Sequence, residues 1–206
     1  MTMAVPKYFI AHIKSMLRHP VEYVESYRPQ RQATDLARWQ NPENLRSDWD
    51  ERTKLIGAYI PDASAVVEFG AARLVLPLYI GKSCTYQPVD LVKRSEDTLV
   101  FDLNGQLEDL PHFYDYAVFS GVLEYVHDLP RLMRWLPSVA RNVVFSYGVT
   151  DFLSDPISRR RNGWVNNMSH TDVLTLLSQY ALTCVSTQRW KEQKIYNCRY
   201  SSQTAY

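Results

Sequence analysis

Cysteine is scarce in this chain: Cys84, Cys184 and Cys198 lie far apart, with no CxxC pair and no histidine at metal-ligand spacing beside them. That argues against a metal site and against a disulfide framework, and favours reduced thiols in a cytoplasmic setting. A surplus of charge is lacking too, since 23 Lys and Arg stand against 22 Asp and Glu, for a formal net charge of +1. A general polyanion binder needs a basic excess, so no nucleic acid is expected as a partner. No apolar run reaches the length of a signal or membrane-spanning segment, because Lys7, His12, Lys14 and Arg18 interrupt the N-terminal stretch MTMAVPKYFIAHIKSMLRHP. That stretch reads as a short amphipathic helix packed on the domain. Internal repeats and low-complexity tracts are absent as well.

What is present fits one domain with an extension. A chain of 206 residues, 46% hydrophobic, builds one substantial core and is short for two domains and a linker. Residues 1–47 are rich in Pro, Gln, Arg and Asn, including Pro20, Pro29, Pro42 and RPQRQ at 28–32, and predict short helices joined by turns. They form a lid in this reading, with an α/β domain over 48–206. Ser47 or Asp48 is placed to cap a helix through WDERTKLIGAYI, which Pro61 ends. The aromatic share, 13% with 14 Tyr and 5 Trp, favours a pocket or interface lined by rings, although any single ring belongs by default to the core.

From residue 65 the period changes to short β-branched runs alternating with helical stretches. The runs are 65–69, 84–89, 98–101, 116–119 and 142–147, and the helical spacing falls at 72–80, 129–136 and 170–180. Two more strand-like runs, 181–187 and 193–201, are separated by a few residues and predict an antiparallel hairpin. The fold class expected is therefore α/β, with a mostly parallel, Rossmann-like seven-stranded sheet, a C-terminal antiparallel hairpin and an N-terminal helical cap.

The segment AVVEFGAARLVLPLYI reads as a buried strand through Glu68 and Phe69 into Gly70 and then a helix, a turn that lets a ligand approach backbone N–H groups. An acid inside this apolar run is unfavourable unless something pairs with it, which favours function for Glu68. Asp90 follows at the end of the next strand, 22 residues on (90 − 68), where a carboxylate accepts from both hydroxyls of a ribose. Asp102 ends a third strand, and Ser120 with Gly121 a fourth. Taken singly, Asp90 and Asp102 are as easily explained as caps of a following helix.

In order and spacing these motifs resemble the class I S-adenosylmethionine-dependent methyltransferases over roughly residues 48–201. EFGAAR at 68–73 resembles their first motif and PVDL at 88–91 their ribose-binding strand end; FDLNG at 101–105 and FSGVLEYVHDLP at 119–130 resemble their adenine-contacting and fourth-strand motifs. The resemblance implies S-adenosylmethionine as cofactor, with Glu68, Gly70 and Ala72 against its methionine end. It implies Asp90 with Leu91 at the ribose, Asp102 with Leu103 at the adenine, and Ser120 on the floor near the sulfonium. The chain departs from the family at Ala72 and Leu74, where glycines are usual; a negative φ at Ala72 keeps the approach open, whereas Leu74 demands a shifted turn.

Outside the cofactor motifs, RRRNGWVNNMSHTDV is the informative region. Arg159–Arg161 reads as a solvated loop, and Ser169 with Asp172 as a capping box. Trp164, Asn166 and Asn167 join an aromatic ring to paired amides, which suits a polar ring-shaped substrate such as a sugar, with Trp49 and Arg52 placed to cover the site. His127, His170 and, more weakly, Tyr125 are the candidate bases, and His127 is as readily a helix-start residue; Trp135 reads as core. The function implied is methyl transfer to an oxygen or nitrogen of a small molecule or glycan precursor. A non-catalytic methyltransferase-like assembly module is the alternative, and a nicotinamide enzyme is disfavoured by the missing dinucleotide fingerprint. Oligomeric state is left open.

Overall fold

The structure, a computed structural model, describes residues 7–26 and 33–201. Residues 1–6 of the N-terminal stretch, Pro29 and the RPQRQ turn lie outside the described residues.

The apolar runs form strands β1 (Ala65–Phe69), β2 (Thr85–Asp90), β3 (Leu99–Val100), β4 (Tyr114–Phe119), β5 (Ala140–Tyr147), β6 (Leu182–Trp190) and β7 (Gln193–Tyr200). They join in one sheet of order β3-β2-β1-β4-β5-β7-β6. Pairing is parallel from β3 through β5, whereas β7 runs antiparallel to both β5 and β6. The expected seven-stranded, mostly parallel sheet with its terminal hairpin is the observed one. Chain order reverses direction between β1 and β4, which opens a crevice at the carboxyl ends of these strands.

Strand alternation divides the core in two. Val67, Phe69, Ala117, Phe119, Val143 and Phe145 face one layer, packed by Leu132 and Met133 of α5 (Leu129–Trp135) and Val173 and Leu177 of α7 (His170–Gln179). Val66, Val118, Val144 and Ile195 face the other, covered by Ile56 of α4 (Asp50–Gly57) and by Leu76. Trp135 stacks on Phe101 against the first cluster, as expected of a core ring.

The N-terminal segment forms α1 (Lys7–Arg18), α2 (Pro20–Ser26) and α3 (Leu36–Gln40). α1 is the amphipathic helix expected, but its apolar Ile10, Met16 and Leu17 stay substantially exposed, Leu17 at 72%. α2 packs on α6 (Pro156–Arg161) with Glu22 and Arg161 2.6 Å apart, and Ser15 of α1 hydrogen-bonds Asp155 at the start of α6.

Three local expectations are corrected. No α-helix follows β1: residues 72–80 hold turns and a single 3-10 turn, Leu76–Leu78, because Ala72 and Leu74 take left-handed φ of 45° and 57° and Pro77 follows. Neither Ser47 nor Asp48 caps α4 through its side chain; both lie in a 3-10 turn before it, and Asp48 pairs with Arg46 and Lys191. Arg159–Arg161 is no solvated loop but the end of α6, with Arg159 buried and donating to the carbonyls of Gly148, Leu153 and Asn166. The Ser169–Asp172 capping box is present.

Candidate functional site

Strand ends, the segment around α3 and the β6–β7 turn enclose one cavity of about 610 Å³ over the β1/β4 crevice. That volume lies within the range of about 300–1,000 Å³ usual for small-molecule sites. Glu68, Gly70, Ala72, Asp90, Leu91, Asp102, Leu103 and Ser120 all line it. So do His127, Tyr125, Trp164, Trp49 and Arg52.

The turn after β1 takes positive φ at every second residue: Gly70 at 68°, Ala72 at 45° and Leu74 at 57°. Only the first is glycine, and the condition under which alanine keeps the approach open, a negative φ at Ala72, is not met. Left-handed φ suits glycine, so the side chains of Ala72 and Leu74 make the turn unfavourable, on the order of 1–2 kcal/mol each. Hydrogen bonds from Gly70 and Ala71 N–H to the Val89 carbonyl, at 2.8 and 3.1 Å, and from Ala72 N–H to Asp90 Oδ2, at 2.8 Å, hold it.

Asp90 therefore fastens the turn as well as lining the cavity. Its Oδ1 accepts from Val92 N–H at 3.0 Å and Arg94 Nε at 3.1 Å, and Arg94 reaches across to the Trp39 carbonyl at 2.8 Å. Asp102 accepts from the Thr34 hydroxyl with both oxygens at 2.8 Å and from Asn104 N–H at 2.8 Å. Neither carboxylate caps a helix. Each is bridged to the N-terminal segment by a residue that the sequence reading missed, Arg94 and Thr34. For Arg94 a signal existed in its i+4 spacing from Asp90; Thr34 is 68 residues from its partner and had none.

Glu68 has the partner its burial demands. It is 2% exposed and accepts from the Tyr86 hydroxyl at 2.6 Å. Burial pushes its carboxyl up to about 8, against the opposing pull of the Tyr86 hydrogen bond and of Arg52. Ser120 is engaged by Arg52, which donates to its hydroxyl at 3.0 Å and to its carbonyl at 2.9 Å while reaching Gln193 at 2.9 Å. The Arg52 guanidinium lies between the Trp49 and Trp190 rings, 5.6 and 5.4 Å from their centroids. Gly121, at φ 70°, leaves it room, since a Cβ there would lie 2.4 Å from Nη1. Arg52 is thus a buried brace of the floor and not an exposed cover. Gln193 continues the network to the buried Glu124 at 3.0 Å, whose other partner is Gly148 N–H at 2.7 Å.

The aromatic wall comes from Trp39 and Tyr125, edge to face at 4.9 Å, with Trp164 beside them. Burial pushes the Tyr125 phenol up to about 12, with Glu124 adding to the effect, so Tyr125 is no base near neutrality. Half-buried His127 lies at the cavity, its backbone N–H fixed by Asn104 Oδ1 at 2.8 Å. His170, Asn166 and Asn167 are not brought to it. His170 pairs with Tyr196 at 3.0 Å. Asn166 donates to the carbonyls of Leu123 and Val126 at 2.9 Å and accepts from Tyr147, and Asn167 accepts from Arg159. The paired amides satisfy backbone carbonyl acceptors and the Tyr147 and Arg159 donors, and they do not line the cavity. Among the described residues, no cluster of metal-ligating side chains occurs and no helix is long and apolar enough to cross a membrane.

Solved methyltransferases share this architecture. The O-methyltransferase NcsB1 of neocarzinostatin biosynthesis, in complex with S-adenosylmethionine and 2-hydroxy-5-methyl naphthoic acid, superposes with a TM-score of 0.58 at 15% identity, over 94% of this chain and 68% of that one. Magnesium protoporphyrin IX methyltransferase from Synechocystis PCC 6803, with bound S-adenosylhomocysteine, gives 0.55 at 11% identity over 95% of this chain and 100% of its own. An S-adenosylmethionine-dependent methyltransferase from Mesorhizobium loti gives 0.56 at 14% identity over 70% and 95%. No family model and no curated protein matches the sequence. The chain has the class I methyltransferase fold.

Proposed function

We propose that this chain is a cytoplasmic S-adenosylmethionine-dependent methyltransferase acting on an oxygen or nitrogen nucleophile of a small molecule or glycan precursor. The observation that carries the reading is the turn at 70–74: Gly70, Ala72 and Leu74 all take positive φ although only the first is glycine, beside two strand-end carboxylates on one cavity. A strained backbone conformation held by Asp90 is the kind of feature that function retains.

The residues fit the cofactor with one demand. Asp102 and Leu103 would hold the adenine, and Glu68 with the 70–72 turn would receive the methionine end, whose ammonium would favour the ionised form of Glu68. Asp90 would hold the ribose hydroxyls, for which Arg94, now bonded to it, would have to give way. The cofactor supplies a methyl group activated on a sulfonium. The protein supplies position and dryness: residues before 48 act as a lid, tied down by Thr34 and by Arg38, whose guanidinium donates to the Asn162 and Arg161 carbonyls at 2.5 and 2.9 Å. Arg52 and Thr53 both bond the Ser120 hydroxyl and fix the floor. Trp164 and Trp49 offer rings to a flat acceptor, and NcsB1 is in complex with a naphthoic acid. His127 takes the proton as the acceptor attacks.

A non-catalytic module remains the second reading, favoured by the engagement of Asp90 in three hydrogen bonds, from Ala72, Val92 and Arg94. Incubation with methyl-labelled S-adenosylmethionine and a panel of phenolic, carboxylic and sugar acceptors separates the two. Transfer is expected, with His127→Gln about 10²–10⁴-fold slower at unchanged cofactor affinity. Cofactor binding without transfer to any class of acceptor favours the module.

A further inference from the structure

We propose that Cys184 and Cys198 form a redox-active dithiol on the outer hairpin, which a peroxide converts to a cross-strand disulfide. The two cysteines are direct partners across the antiparallel β6–β7 ladder, away from the cavity. Ser201 N–H donates to the Ala181 carbonyl at 3.0 Å, so 181 and 201 are a hydrogen-bonded pair. Bonded and non-bonded pairs alternate along the ladder, which makes 182/200 non-bonded, 183/199 bonded and 184/198 non-bonded. Non-bonded pairs bring their Cα atoms to about 4.5 Å and their side chains closest, at the short end of the span of about 4.4–6.8 Å that a disulfide bridges.

The two thiols are also differentiated. Cys198 is 0% exposed and packs in the core beside β5, whereas Cys184 is half-buried on the edge strand. Immediately after Cys184 the ladder shifts register, and Val185 at that irregularity on the edge strand is 53% exposed. A hydrogen bond from Cys198 pulls the Cys184 thiol down to about 7, with Lys194 adding to the effect, while Cys198 is pushed well up by the same contact and by burial. Cys184 is thus the attacking thiolate and Cys198 the resolving thiol.

The chemistry balances with hydrogen peroxide as oxidant. Cys184 sulfur attacks one peroxide oxygen, an S–O bond forms as the O–O bond breaks, and the leaving hydroxide is protonated to water. Cys198 sulfur then attacks the Cys184 sulfenic acid, the S–S bond forms, and the hydroxyl leaves as water with the Cys198 proton. Two thiols are oxidised and one peroxide becomes two waters. A bridge on the edge strand, with Cys184 half-buried, is accessible to reduction by a small thiol.

The test is peptide mapping of the full chain after one equivalent of hydrogen peroxide and alkylation. Expected are the loss of two alkylatable thiols, a Cys184–Cys198 cross-link, Cys84 still free, and recovery of both thiols with dithiothreitol. Cys184→Ser abolishes the loss at Cys198, and Cys198→Ala leaves a sulfenic acid at Cys184 that dimedone captures. Should Cys198→Ala fail to fold, the wild-type map and Cys184→Ser decide alone. Oxidation starting at Cys84, an intermolecular disulfide, over-oxidation of Cys184 with Cys198 still free, or no loss of thiols would each overturn the proposal.

Discussion

Arg94 lies 3.1 Å from the Asp90 carboxylate in an ion pair whose side chains are only 11% and 6% exposed, and its second amine donates to the Trp39 carbonyl. The acid that receives a ribose in this reading is already neutralised by a cation tied to the lid. Removing that cation has opposite effects on stability and on binding. Arg94→Ala leaves Asp90 unpaired and lowers the melting temperature, yet it spares the ligand the displacement of Arg94. S-adenosylhomocysteine is then expected to bind about tenfold tighter, roughly 1.4 kcal/mol, in calorimetric titration. Weaker binding would mean that Arg94 itself contacts the ligand.

Glu68 sets a pH dependence with a definite sign. Its folded value of about 8 lies above the ordinary 4.5, so between those values the folded chain holds a proton that the unfolded chain has released. Stability from this group is present below the lower value and is lost as pH rises through the upper one. Glu68→Gln removes the effect while keeping a hydrogen-bonding partner for Tyr86. The melting temperature of Glu68→Gln relative to wild type is expected to rise steadily from about pH 5 to about pH 9; parallel curves would refute the assignment.

The turn after β1 predicts a stabilising substitution. Ala72 takes φ 45° with little side chain to lose, so Ala72→Gly relieves the left-handed strain at the cost of a more flexible unfolded chain. A net gain of up to about 1 kcal/mol, or a melting temperature about 2–4 °C higher, is expected by calorimetry. A lower melting temperature would show that the strain is absent.

Much of this architecture was legible because strands and their ends obey local rules. Runs such as AVVEF and VVFSY alternate between two cores, and the acids at 68, 90 and 102 fall at strand ends where apolar periodicity stops. The helix expected over 72–80 was not there, because AARLVLPLY has helical spacing but the turn imposes left-handed backbone at two of its residues. Asn166 and Asn167 looked like recognition residues because paired amides are polar wherever they occur; their partners, the carbonyls of Leu123 and Val126 and the side chains of Tyr147 and Arg159, belong to other segments. The same limit hid Thr34 and Gln193, whose roles rest on contacts across 68 and 141 residues.

In this reading the cavity at the carboxyl ends of β1 to β4 binds S-adenosylmethionine through Asp90 and Asp102. The most direct measurement is calorimetric titration of the full chain with S-adenosylhomocysteine, with Asp90→Ala as control. Saturable one-to-one binding to wild type, weakened at least tenfold in Asp90→Ala, is the predicted result. No heat and no thermal shift at millimolar ligand, or equal binding to both proteins, would contradict it.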